Sequence, residues 1–307
     1  MNRPRILALS AIHPLEIAER MAADYDVIDD ISQAADIEVV LTNGGLGLSP
    51  EQMAALPALR LIAVNGVGVD AIDLSEARRR DIIVTTTPDV LSLAVAEMAL
   101  GLALAAGRRI ADGDRFIRAG EWADGGKIAL GTSVLERRAG ILGYGRIGRR
   151  LADLLRGMGM EVRYTARAEK PDSPDVYCPD PLILARDCEL LFVTAAGGQH
   201  TRGLVDADVL AALGSTGIII NVARGPVVDT AALADALQSG QIAGAGLDVF
   251  DDEPNVPDAL LNAPNCVLAP HIASATTEAR RAMAQLVLDN VSAYFAGRPL
   301  PTPYGNG

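Results

Sequence analysis

Gly143-Tyr144-Gly145-Arg146-Ile147-Gly148 reads G-x-G-x-x-G, and its setting is what constrains the fold. An apolar run of strand length (AGIL, 139–142) precedes it, and an amphipathic stretch at 149–158 follows. At such a strand-to-helix turn each glycine has a physical task. Gly143 permits the tight turn, Gly145 lets backbone approach a pyrophosphate, and Gly148 allows close helix–strand packing. The helix that starts here offers unpaired N–H groups and a partial positive charge to an anion. In this setting the string predicts a βαβ unit that holds a dinucleotide, with Tyr144, Arg146 and Ile147 in the same turn.

An acid about 20 residues further on, closing the second strand, is the usual partner of a ribose 2′-hydroxyl. Here that strand reads EVRYTAR at 161–167, and Ala166 and Arg167 stand at its end with Lys170 close behind. An acid would repel a 2′-phosphate, whereas an arginine meets one with a charge-assisted fork. The strand end therefore predicts NADP(H), with NAD(H) as the weaker alternative.

The rest of the chain extends the alternation. RILALS (5–10), IEVVL (37–41), LRLIAV (59–64) and IIVT (82–85) are strand-length apolar runs separated by helix-like stretches. Strands alternating with helices imply a parallel sheet. The pattern then gives way to an Ala/Leu-rich run at 90–117 that predicts one long helix. A second series follows at 138–142, 161–165, 190–194, 217–222, 244–249 and 266–269, six strands in the size and order of a doubly wound sheet. A long helix is predicted again at 276–295. We expect an α/β chain of two domains, one discontinuous (1–98 with 276–307) and one inserted into it (99–275).

Three segments place polar residues just after buried strands of the second series: NVARG (221–225), LDVFDDEP (247–254) and PHIAS (270–274). In open α/β sheets ligands bind at this carboxyl edge. In this order after the glycine turn the segments resemble those of the D-isomer-specific 2-hydroxyacid dehydrogenases. The 2-keto acid reduction that this implies needs a cation for the carboxylate, a proton donor at the ketone oxygen and a hydride source. Arg224 can hold a carboxylate bidentately and polarise the neighbouring carbonyl. His271 can donate the proton, and in the reverse direction accept it. Glu253 can hydrogen-bond the imidazole, favour its protonated form and fix its tautomer. The resemblance covers essentially the whole chain. The TPDVL segment (87–91) and the YTAR strand end look most like the family's NADPH-dependent hydroxypyruvate and glyoxylate reductases.

The resemblance implies a Rossmann-type dinucleotide domain inserted into a flavodoxin-like substrate domain, and Arg224, Glu253 and His271 as the catalytic residues. It places Asp248 near the nicotinamide, Thr194, Val222 and Ala223 along the cofactor, and Ser274 near the substrate. The loop NGVGVD at 65–70 matches the one that binds the substrate acid group, here Val67 and Gly68, whose glycines let backbone N–H groups approach a carboxylate. The NGGL turn at 43–46 is either a second wall or a plain turn. Trp122, the sole tryptophan, matches a position that in some relatives reaches the partner subunit's site, or else packs locally. The family is usually dimeric through the region of the long helix, where Leu100, Leu102 and Leu104 leave no polar face.

Composition removes other classes. Net charge is −12, so a phosphate-neutralising nucleic-acid surface is not expected. Cys178, Cys188 and Cys266 are too scattered for a disulfide framework or a metal knuckle, and with three histidines in all no metal site is expected. Neither His13 nor His200 is assigned a role. The N-terminal apolar run is too short for a signal peptide, and the longest such stretch, 91–106, contains Glu97 and is too short to span a membrane. The expectation is a cytoplasmic homodimer acting on a small 2-keto or 2-hydroxy acid. Asn290-Val291-Ser292 matches a glycosylation acceptor, dismissed in a predicted helix of such a chain. An NAD-linked phosphoglycerate or D-lactate dehydrogenase is the main alternative. The expectation that no regulatory domain follows residue 295 speaks against phosphoglycerate. A nucleotide-sensing corepressor is the alternative from another class, and it would be expected to carry partner-binding extensions.

Overall fold

A computed structural model describes residues 3–305. The chain divides into two compact units, one running as far as Leu91 and resuming at Ser274, the other spanning Ser92–Ala273.

The first unit is built from β1 (Arg5–Ala8), α1 (Leu15–Asp24), β2 (Asp26–Ile28), β3 (Val39–Thr42), α2 (Pro50–Ala54), β4 (Leu61–Val64), α3 (Leu74–Arg79) and β5 (Ile83–Thr85), with a C-terminal helix, Thr277–Phe295. Its five strands are parallel in the order β2-β1-β3-β4-β5, the flavodoxin-like doubly wound arrangement. Successive residues of one strand point to opposite faces, so a sheet covered on both sides needs unbroken apolar strands. Val39 and Leu41 accordingly pack with Val287, Leu288 and Val291 of the C-terminal helix, while Val40 packs with Met53 and Leu56 on the other face. Each such side chain contributes about 1.5–3 kcal/mol by leaving water. The strand β2 is not foreseen in the sequence, since two of its three residues are exposed and leave no apolar run.

The second unit begins with α4 (Ser92–Gly107) and α5 (Ile110–Arg118). It continues through β6 (Ala139–Leu142), α6 (Arg146–Gly157), β7 (Val162–Thr165), β8 (Val176–Tyr177), α7 (Pro181–Arg186) and β9 (Leu190–Val193), then α8 (Ala207–Leu213), β10 (Ile218–Asn221), α9 (Thr230–Gln238), β11 (Gly244–Leu247), α10 (Asp258–Leu261) and β12 (Cys266–Leu268). All strands are parallel, ordered β12-β11-β10-β9-β6-β7-β8. The strand order reverses between β6 and β9, the crevice where such sheets bind dinucleotides. The sequence predicts six strands; the seventh, β8, has two residues, too few to set up a period.

Two further expectations are corrected. The predicted helix over 90–117 is two helices. Gly107 ends α4, and its carbonyl accepts from the Thr132 amide at 2.7 Å. Arg109 then takes left-handed backbone (φ 53°) before α5. The unit boundary lies at the start of α4 and not at residue 98, because α4 packs on the sheet of the second unit. A Cβ on Gly246 of β11 would come within 2.8 Å of Leu102 Cβ, so α4 lies directly against this sheet. Among the described residues no helix is long and apolar enough to cross a membrane.

Candidate active site

Helices α7, α8 and α9 start alike: Asp180, Asp206 and Asp229 accept from the amides of Ile183, Val209 and Ala232. Each aspartate satisfies a first-turn N–H that would otherwise lack a partner. Helix α6 starts instead at Gly145, which brings no side chain to its first amides. Gly143 has φ +102°, and a Cβ there would come within 2.4 Å of the Ala195 backbone. At Gly148 a Cβ would meet the Gly143 carbonyl at 2.3 Å, yet at Gly145 it would meet nothing within 4 Å. Two glycines are therefore needed for packing, and the middle one faces open space. Thr194 Oγ1 donates to the Gly143 carbonyl at 2.6 Å and pins the turn to the end of β9. An open glycine at an uncapped helix start is a cradle that fits a pyrophosphate.

Arg146 is exposed and Ile147 half-buried, whereas the Tyr144 ring is buried and its hydroxyl donates to Asp175. Burial and the neighbouring Asp175 push the Tyr144 hydroxyl pKa up. Only the backbone of Tyr144 is thus available to a phosphate. After β7, Ala166 is half-buried and Arg167 exposed. Val222 and Ala223, beyond β10, are buried.

The three strand-end segments meet through their backbones. Asn221 closes an Asx turn beyond β10, its Oδ1 accepting from the Ala223 amide at 3.0 Å and its Nδ2 donating to the Arg224 carbonyl at 3.1 Å. Arg224 Nη1 donates to the Ala223 carbonyl at 2.7 Å. A Cβ on Gly225 would lie 2.0 Å from the Phe250 carbonyl carbon and 2.3 Å from the Asp251 nitrogen. The loop carrying Arg224 is thereby pressed onto the loop carrying Glu253. Glu253 Oε1 accepts from the Phe250 amide at 2.9 Å, and its Oε2 lies 2.6 Å from His271 Nδ1. An ionised carboxylate only accepts, so Nδ1 carries the hydrogen and Nε2 is left as the nitrogen that can exchange a proton. The His271 side chain stays 49% exposed.

Asp248 holds the histidine loop from below. Its carboxylate is fully buried and accepts from the amides of Ile272 and Ala273, both at 2.8 Å, while its carbonyl accepts from the His271 amide at 2.8 Å. Burial pushes the Asp248 pKa up, against the pull of those two amides and of His271. His271 sits at φ 53°, a conformation costing about 1–3 kcal/mol for a residue with a Cβ, which the anchors on either side maintain. Asp248, Glu253 and His271 form one hydrogen-bonded set, and Arg224 joins it through Gly225. The sequence alone marks no role for Asn221 or Gly225; an Asn three residues before an Arg at a strand end is the signal available.

Val67, Gly68 and Ser274 belong to the other unit. Val67 is 36% exposed on the loop after β4, and the preceding Gly66 carbonyl accepts from the Thr87 amide at 2.8 Å. The turn at 43–46 is an Asx turn, with Asn43 Oδ1 accepting from Gly45 and Leu46. It lies close against Gly68, whose carbonyl would be 2.9 Å from a Cβ on Gly44. Trp122 is 68% exposed. Among the described residues no cluster of His, Cys, Asp or Glu could hold a metal.

Residues 100–273 match the family described as D-isomer specific 2-hydroxyacid dehydrogenase, NAD binding domain. The 2-ketogluconate reductase of Gluconobacter oxydans is 43% identical over 98% of this chain and 99% of its own length. Glyoxylate/hydroxypyruvate reductase A of Arabidopsis thaliana is 41% identical over 87% of this chain and 85% of its own. Among solved structures, the NADPH-dependent glyoxylate/hydroxypyruvate reductase of Sinorhizobium meliloti, in complex with NADP and malonate, superposes with a TM-score of 0.93 at 40% identity, covering 99% of this chain and 97% of that one.

Proposed function

The chain belongs to the D-isomer specific 2-hydroxyacid dehydrogenases, and from that premise we propose that it reduces small 2-keto acids to D-2-hydroxy acids with NADPH. The observation that carries this reading is the 2.6 Å contact between Glu253 and His271, in a loop clamped to Arg224. In this reading Arg224 holds the substrate carboxylate and draws electron density from the adjacent ketone. His271 Nε2 gives its proton to the ketone oxygen as the hydride adds to carbon. Glu253 compensates the charge on the imidazolium and fixes the ring. NADPH, when bound, supplies the hydride.

The pyrophosphate goes to the turn at Gly143, Gly145 and Gly148, the 2′-phosphate to Ala166 and Arg167, and Thr194, Val222 and Ala223 lie along the cofactor. The buried carboxylate of Asp248 acts through the loop it anchors. Val67, Gly68 and Ser274 are the further residues assigned to substrate binding. Glyoxylate and hydroxypyruvate are the first substrates to test, after the Arabidopsis and Sinorhizobium proteins, and 2-ketogluconate next, after the Gluconobacter enzyme. Steady-state rates on these three acids with NADPH and with NADH test the reading. Turnover faster with NADH than with NADPH, or none with any of the acids, contradicts it.

The assembly we propose is a cytoplasmic homodimer. Helix α4 buries Leu102 within its own unit but leaves Leu93 45% exposed and Leu100 and Leu104 half-buried, an apolar face that a partner subunit would cover. Beyond it, Ile117, Trp122 and Leu130 are 59%, 68% and 96% exposed and are further candidates for the contact. Light scattering at micromolar concentration tests this, and a monomer mass refutes it.

A further inference from the structure

The mechanism uses the turn at 143–148 and Arg167, but leaves unexplained the polar cluster buried between them. The loop 166–175 joins β7 to β8 with no helix or strand of its own. Such a loop would let an arginine wander, yet here it is tied down at four points. Tyr144, the second residue of the glycine turn, donates its hydroxyl to Asp175, whose side chain is only 3% exposed. Arg156 of α6 meets the same Asp175 oxygen at 2.6 Å. Ser173 Oγ donates to Tyr144 Oη at 3.0 Å and accepts from the Asp175 amide at 3.1 Å. The Tyr144 ring stacks on Tyr164 of β7 with centroids 4.0 Å apart, and Tyr164 Oη accepts from the Lys170 amide at 2.7 Å. Outside the cluster, Arg149 lies over the Tyr144 ring and pairs with Asp172 at 2.7 Å.

Phenylalanine would pack against Tyr164 as well as tyrosine does. A hydroxyl and a carboxylate are costly to bury unless they satisfy one another, and here every polar atom named has a partner. With support from Arg156 of α6 and Tyr164 of β7, the set joins the turn assigned to the pyrophosphate to the loop whose first residues are Ala166 and Arg167. Asp172 and Asp175, acids that would repel a second phosphate, are both engaged with arginines.

We propose that Tyr144 is a positioning residue for cofactor choice: through Asp175, Ser173 and Tyr164 it fixes the loop 166–175 against the glycine turn, so that Arg167 is held where a 2′-phosphate arrives. This rests on the reading of Arg167 given above. Pre-setting a charged donor reduces the ordering cost of using it, and that advantage belongs to the 2′-phosphorylated ligand alone.

The test is calorimetric titration of the full chain with adenosine 2′,5′-bisphosphate and with 5′-AMP, which needs no turnover. The wild-type chain should bind the bisphosphate more tightly. Tyr144→Phe keeps the stacked ring and deletes the hydroxyl, and should cut that preference about tenfold, the equivalent of roughly one charge-assisted hydrogen bond. Arg167→Ala should abolish the preference and reports on the underlying reading. Loss of stability alone would weaken both ligands alike and leave their ratio unmoved. Should Tyr144→Phe fail to fold, Ser173→Ala removes only the hydroxyl that donates to Tyr144, and the same fall in ratio is expected. A wild-type chain that does not discriminate would overturn the reading of Arg167 and the positioning role with it. A discriminating wild type whose ratio survives in these variants would overturn the positioning role alone.

Discussion

Gly145→Ala should separate binding from folding. Gly145 has φ −87° and ψ −156°, which an alanine can adopt, and an added Cβ meets no atom within 4 Å. On folding, two small terms oppose each other. Alanine restricts the unfolded chain, a gain of about 0.4–1 kcal/mol, but is a poorer helix cap than glycine by a similar amount. The net lies within about 0.5 kcal/mol, or roughly 2 °C of melting temperature for a unit of this size. On binding the terms do not cancel. The methyl group occupies the space above the first turn of α6, and costs at least one amide–phosphate contact. At about 1.5–3 kcal/mol for a hydrogen bond to a charged group, the NADPH Kd should rise roughly ten- to a hundredfold. Gly143→Ala is the contrasting case, since φ +102° and the Ala195 backbone at 2.4 Å leave no room for a side chain; it should lose the fold. Melting curves without cofactor, and titration by NADPH fluorescence, measure the two effects. A Gly145→Ala protein with unchanged Kd, or one that melts as early as Gly143→Ala, would refute the reasoning.

Gly225→Ala should separate the Arg224 and Glu253 loops. Its Cβ would lie 2.0 Å from backbone that cannot rotate away, and an ångström of misplacement typically costs about a hundredfold in rate. Keto-acid reduction within threefold of wild type would show that the two loops are not coupled. The thiols of Cys188 and Cys266 are pushed up by burial to about 12, so at pH 8 the folded protein should leave both unlabelled by a thiol reagent that reacts with all three cysteines in denaturant. Because the unfolded chain ionises these thiols first, their contribution to stability is whole below the ordinary thiol pKa of about 8.5 and is lost as pH rises toward 12. Stability that climbs through that range would contradict their burial.

What the sequence revealed, and what it hid, follows from range. Parallel strands covered on both faces must be apolar throughout, so Val39–Thr42 and Ile218–Asn221 announce themselves. The glycine turn is legible because three positions each satisfy a local constraint. Strands β2 and β8 escape notice because edge strands of two or three residues carry no pattern. The break after Gly107 depends on residue 132 returning to take its carbonyl, and Arg108 and Arg109 look helical by themselves. Of the proposed site, Arg224, Glu253 and His271 are visible by residue type and order. The use of Asp248 is not: an aspartate at a strand end gives no sign that its oxygens are taken by amides 24 and 25 residues later. Nor does Tyr144 reveal that its partner is an aspartate 31 positions away.

The role of His271 is most directly tested by a single-turnover experiment on His271→Ala. Enzyme in excess over a 2-keto acid is mixed with NADPH, and the loss of nicotinamide absorbance is followed alongside the Kd for NADPH. Positioned proton transfer contributes typically 10²–10⁴-fold, so the hydride-transfer rate should fall by about that factor while NADPH binds as it does to wild type. A variant that transfers hydride within a few-fold of the wild-type rate would show that His271 is not the proton donor, and that the Glu253–His271 pair is only structural.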